Sequence, residues 1–152
     1  MTTTGALLGS GKIDLVDYLP KSLDNIIRAN RNHCRLALAT EGEMEQLSHP
    51  LNNSAVSRHL IRWQILALHL SGNGKAVQTF HLVGRVRGTR EAWMTSKVQA
   101  IDLKRRRVRT ENSLYGLWGP QGRESDIDLL YVCATLNYGG IGPLFGVPEL
   151  FF

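Results

Sequence analysis

Four apolar runs follow one another between residues 59 and 118, and each is closed by a short polar turn. "HLIRWQILALHL" gives way to "SGNGK", "VQTFHLVGRVR" to "GTRE", and "AWMTSKVQAIDL" to "KRR", before "RVRTENSLYGL" runs into "GPQGRES". Runs of this length around Gly-, Asn- and charge-rich turns predict strands joined as hairpins. The first run is ambiguous on periodicity alone. Val56, Leu60, Trp63, Ala67 and Leu70 fit a helix, while Ile61, Trp63 and Ile65 fit a strand face with Arg62 and Gln64 opposite. The turn and the second apolar run that follow favour the strand. The reading is a four-stranded antiparallel meander over about residues 59–118.

The flanks have a different character. Residues 1–13 are small and Gly-rich, as expected of a flexible tail. After Pro20, Ser22 is a candidate N-cap, and Leu23, Ile26, Ile27, Cys34, Ala37 and Leu38 follow a helical stripe. "EGEMEQLSHP" reads as a further short helical turn that Pro50 ends. In "ESDIDLLYVCATLNYGG", Ser125 caps, Asp126 and Asp128 suit the first turn, and Gly139 and Gly140 suit the end, which predicts a C-terminal helix. "IGPLFGVPELFF" is expected to dock on the body. The expected fold class is α+β: a four-stranded antiparallel meander packed by an N-terminal helix and a C-terminal helix, forming one domain over residues 14–152.

Charge gives the strongest hint about partners. The net charge is +5. Residues 75–109 carry ten Lys/Arg against two Asp/Glu, while residues 1–74 are near neutral and residues 110–152 are acidic. Such asymmetry points toward an anionic partner. Alternation along the strands sets Phe80, Leu82 and Val86 against His81, Arg85 and Arg87, with Val77 and Val83 among the latter, and Met94, Val98 and Ala100 against Trp93, Lys97 and Gln99. In the last run it sets Val108 and Leu114 against Arg107, Arg109 and Tyr115. One face is then expected to present Arg85, Arg87, Lys97, Arg107 and Arg109 with Trp93 and Tyr115 nearby. The tract Lys104, Arg105, Arg106 and Arg107 sits at the adjoining turn. Cations neutralise phosphates and aromatic rings stack on unpaired bases, so the expected partner is nucleic acid or a nucleoprotein assembly. The competing reading is an ordinary solvated sheet face.

Motifs for other chemistries fail on spacing. "GALLGSGK" is one residue too long for a Walker-type phosphate loop, and Ile13 stands where Ser or Thr would hold the metal. The five histidines form no HxxxH or HExxH pair, and there is no GxSxG elbow. No catalytic residue, metal ligand or cofactor is assigned. An enzyme with a spatially assembled site is kept as a third reading. Cys34 and Cys133 form no CxxC pair and read as thiols of a reducing compartment, with a disulfide between them as the alternative. No apolar run is long enough to cross a bilayer, and the N-terminus lacks signal-peptide character. The expected location is cytoplasmic.

The segment "WMTSKVQAIDLKRRRVRTENSLYGL", with its "TS.V.AID" strand, variable turn and "V.T.NS.Y.L", resembles small accessory proteins of bacterial phages, plasmids and other mobile elements. That resemblance implies a setting in which small binding proteins are common, anti-CRISPR inhibitors among them. It supplies the second reading: a protein-binding inhibitor of a host complex, acting through its apolar C-terminal segment or the acidic helix start.

Overall fold

The computed structural model describes residues 34–72, 74–123 and 126. Six strands and one short helix occupy them: β1 (Cys34–Leu38), α1 (Glu41–Gln46), β2 (Arg58–Gly72), β3 (Lys75–Val86), β4 (Ala92–Asp102), β5 (Arg107–Thr110) and β6 (Leu114–Trp118). The strands form one sheet in chain order, and β6 pairs in addition with β2. Every consecutive pair is antiparallel. Five successive strands that reverse direction at each step leave the first and last pointing the same way. The closing pair is accordingly parallel, running from Arg58↔Tyr115 to Ile61↔Trp118. β2 to β6 thus make a closed barrel, which removes the free edges of an open sheet.

The α+β arrangement expected from the sequence is corrected. The sheet has six strands, not four, and the α-helix among the described residues is six residues long. Cys34, Ala37 and Leu38, expected on a helical stripe, belong to β1 instead. β1 pairs with the second half of β2, from Cys34↔Leu70 to Leu38↔Leu66. Leu36 is fully buried there while Arg35 is exposed. Backbone pairing and burial on this edge outweigh the few tenths of a kcal/mol per residue by which Ala and Leu favour a helix. The expected tail over residues 1–13, the start of the N-terminal helix, the C-terminal helix beyond Asp126 and the docked "PLFGVPELFF" lie outside the described residues.

β2 is the organising strand. Its first half pairs with β6 and its second half with β1 on the same edge. Between them, Trp63 O accepts from Gly122 N–H at 2.8 Å and Ile65 O from Ala39 N–H at 2.8 Å. Gln64, Ile65, Leu66, Ala67 and Leu68 are all buried, so both faces of this stretch are covered. A strand buried on both faces loses its polar alternation, which is why "ILALHL" also reads as a helix.

The barrel interior holds Leu60, Trp63, Ile65, Leu82, Val98, Ile101, Val108, Tyr115 and Leu117, with Met44 of α1 packed into the same cluster. A capping box sets α1: Thr40 Oγ1 accepts from Glu43 N–H at 3.1 Å, and Glu43 Oε1 accepts from Thr40 N–H at 2.9 Å. Three irregularities re-aim side chains, at Ile61/Gln64 in the β2–β3 pair, His81/Val83 in β3–β4 and Val98/Ala100 in β4–β5. Each inserts an extra residue into one strand and so exchanges inside for outside.

Candidate functional site

The outer surface of the barrel carries the candidate site, where β5, β6, β2 and β3 lie side by side. Registers place Arg107 opposite Gly116 and Gly116 opposite His59, and the Arg87 N–H donates to His59 O at 2.8 Å. One step along, Trp118 lies opposite Ile61 and Ile61 opposite Arg85. A cleft of about 530 Å³ opens over the β2–β6 seam, lined among others by His59, Arg105, Arg106, Arg107 and Trp118. Trp118 is 47% exposed. The Arg87 guanidinium stacks on its ring at 3.5 Å from the centroid, and the His59 ring meets it edge-on at 6.2 Å.

The basic turn is shaped from beneath by Asp102. Its carboxylate accepts from Leu51 N–H at 2.8 Å, from Arg105 N–H at 3.1 Å and from the Arg105 guanidinium at 3.1 Å. These bonds, led by the one from Leu51, hold the carboxyl down to about 2. Arg106 follows with a left-handed backbone, φ 59°. Its carbonyl accepts from Leu117 N–H at 2.8 Å, and its guanidinium donates to Leu117 O at 3.1 Å and to Gly119 O. The Arg107 guanidinium donates to Ser54 O. The tract is therefore neither a free cationic comb nor a loose turn. Arg106 and Arg107 tie the turn and the start of β5 to neighbouring backbone while keeping their charge, because a carbonyl partner cancels none of it.

The expected site residues separate into groups. Arg87, Arg105, Arg106 and Arg107 meet at or beside the cleft. Arg85 lies two registers from Arg87 on the same face and lines a separate hollow with Arg62 and Arg90. Lys104 lies by α1, in a recess with Glu41 and Glu45. Lys97 pairs with Glu111 at 3.7 Å. Arg109, half-buried, sits opposite Leu114. The aromatic expectation is corrected. Tyr115 is buried in the barrel, where its hydroxyl lies 3.3 Å from Trp93 Nε1. Trp93 packs against that core with the Arg58 guanidinium 3.9 Å over its ring. Neither ring belongs to the Arg107 face.

The reason is a break in phase. "RVRTENSLYGL" is two strands, and the Ser113 O···Thr110 N–H bond of 2.9 Å closes the turn between them. Alternation counted through that turn puts Tyr115 on the wrong side, because Val108, not Arg107, is its register partner. Trp118 and His59 are the residues this reading missed. Treating "ENS" as a turn would have opposed β5 to β6 and brought Trp118 onto the face of Arg107.

Among the described residues, Arg58, Arg87, Arg106 and Arg107 have no carboxylate within 4.0 Å, whereas Arg62, Lys97 and Arg105 do. No helix among the described residues is long and apolar enough to cross a membrane. Comparison with protein-family models, with curated proteins and with solved structures finds no match.

Proposed function

We propose that this protein is a nucleic-acid-binding module that takes its ligand into the cleft over the β2–β6 seam. The observation that carries this reading is the stack of Arg87 on the exposed Trp118, beside a cleft walled by Arg105, Arg106 and Arg107. Arg87, Arg106 and Arg107 have no carboxylate within 4.0 Å among the described residues, and such guanidiniums attract phosphates and release their counterions, while Arg105 is held by Asp102. They also make paired hydrogen bonds to phosphate oxygens that lysine does not. The indole carries Arg87 over one face and is still 47% exposed, which supports stacking on an unpaired base. Among the described residues the lining gathers three arginines, one histidine and an indole, a set that supports binding of an anion.

Tryptophan fluorescence tests this directly. The chain has three tryptophans, and Trp63 and Trp93 are packed in or against the core. Titrating a mixed-sequence single-stranded oligonucleotide at low salt is expected to quench emission saturably, and Trp118→Phe is expected to remove most of the quench. Absence of quenching and of any anisotropy change on a labelled oligonucleotide would refute the reading. The assignment would then pass to a protein partner.

A further inference from the structure

Resting on that reading, we infer that the ligand is a single strand lying across the barrel from β5 to β3, with a second phosphate subsite formed by Arg85 and Arg90 beside Arg62, whose guanidinium is held by Asp126. These three side chains and Ile61 line a hollow of about 410 Å³. It adjoins the cleft through one register step, since Ile61 is opposite Trp118 on one side and Arg85 on the other. Ile61 is half-buried and forms an apolar floor between the indole and the second group of cations.

Backbone geometry sets this hollow apart from a chance cluster of surface charge. Among the described residues, the non-glycine residues with a left-handed backbone are Arg62, Arg90 and Arg106, at φ 50°, 61° and 59°. Two of them line the hollow and the third lines the cleft. Left-handed backbone is unfavourable for arginine and is held only where surrounding structure fixes it. At Arg62 it coincides with the β2 irregularity, and at Arg90 with the β3–β4 turn, closed by Arg90 N–H to Val86 O at 2.8 Å. Arg62 also bonds Asp126 at 2.9 Å, which fixes its guanidinium at the rim.

The three strand steps from β5 to β3 span about 14 Å. Arg105 and Arg107 mark one end of that path, Trp118 stands between, and Arg85 and Arg90 mark the other. A duplex keeps its bases stacked on each other and offers none to the indole. A single strand offers both phosphates and a free base, and the span suits on the order of four nucleotides, the short end for one small barrel.

The test is a length series of oligothymidylates, from two to eight nucleotides, against wild type, Arg90→Gly and Arg85→Thr. Glycine adopts the left-handed backbone readily and threonine suits a strand, so both variants are expected to fold, which thermal unfolding checks. Wild-type affinity should rise with length and level off near four nucleotides. Each variant should bind the longer oligomers roughly five-fold more weakly in about 0.1 M salt, the share of one phosphate contact on a single strand, and the dinucleotide as wild type does. Binding that is independent of length, unchanged in both variants, or tighter for duplex of the same sequence would overturn the path while leaving the cleft. Wild type that binds no oligomer at any length would overturn the cleft and the path together.

Discussion

The His59 imidazole lies against Gly116, in the space that a Cβ on residue 116 would occupy. The two are register partners across the parallel seam, and both line the cleft. Glycine here provides the depth of the site. Gly116→Ala is expected to cost only about 1 kcal/mol, the low end for overpacking, because His59 is exposed and can swing away. The larger effect should be on ligand affinity, since the displaced ring moves into the cleft. Adding His59→Ala should restore the lost stability. Urea unfolding of both single variants, the double variant and wild type checks this, and strictly additive costs would contradict the contact.

Arg106 couples strain to closure. Its left-handed backbone is unfavourable for arginine, and its guanidinium holds Leu117 O and Gly119 O. Arg106→Ala loses the bonds and keeps the strain, whereas Arg106→Gly loses the bonds and relieves it. The alanine variant is expected to be less stable than the glycine variant by about 1 kcal/mol. Equal stability in denaturant unfolding would show that the backbone there is relaxed.

Asp102 should give the fold an acid limit. Its carboxyl titrates near 3.9 in an unfolded chain and is held down to about 2 here. The unfolded chain therefore binds the proton first as pH falls. The stability Asp102 contributes is complete above about pH 4 and is lost progressively toward about pH 2. Melting curves from pH 5 to pH 2 should show this loss in wild type and a shallower one in Asp102→Asn. Parallel curves would remove Asp102 as the organiser of the basic turn.

His81 should act at milder pH. It is fully buried, with Nε2 2.9 Å from Thr79 Oγ1 and Nδ1 3.1 Å from Thr95 O. Burial is the main cause that lowers its pKa below the ordinary 6.5. The unfolded chain again binds the proton first, so stability should fall as pH drops below about 6.5. His81→Gln should flatten the melting temperature between pH 7 and pH 5. An unchanged slope would assign the dependence to other groups.

What the sequence made legible follows from which forces are local. Hairpin turns such as "GTRE" are short and chemically distinct, so antiparallel strands could be read around them. Phe80, Leu82 and Val86 share the core side of β3 as alternation requires. Alternation then failed wherever an extra residue entered a strand. In β4, Trp93, Val98 and Ile101 all pack toward the core although their parity changes twice. Closure by Arg58↔Tyr115 to Ile61↔Trp118 joins residues almost sixty apart, and no local pattern announces it. β1 was hidden for the same reason, because the edge it pairs with is made by a different part of the chain. Of the site, the cations were visible in the charge count, but the aromatic partner was not, since only the barrel brings Trp118 beside Arg87.

Affinity for a mixed-sequence single strand, measured at several salt concentrations, tests the cleft most directly. Wild type, Arg105→Ser/Arg107→Ser and Trp118→Ala are compared, with thermal unfolding as the check on fold. Wild-type affinity should fall linearly on a log–log plot against salt. The double arginine variant should have a slope shallower by about 0.7 for each lost phosphate contact. Trp118→Ala should keep the wild-type slope and lose about 1–3 kcal/mol, the share of one stacked base. No wild-type binding at low salt, or folded variants that match wild type in both slope and affinity, would contradict a nucleic-acid cleft over the β2–β6 seam.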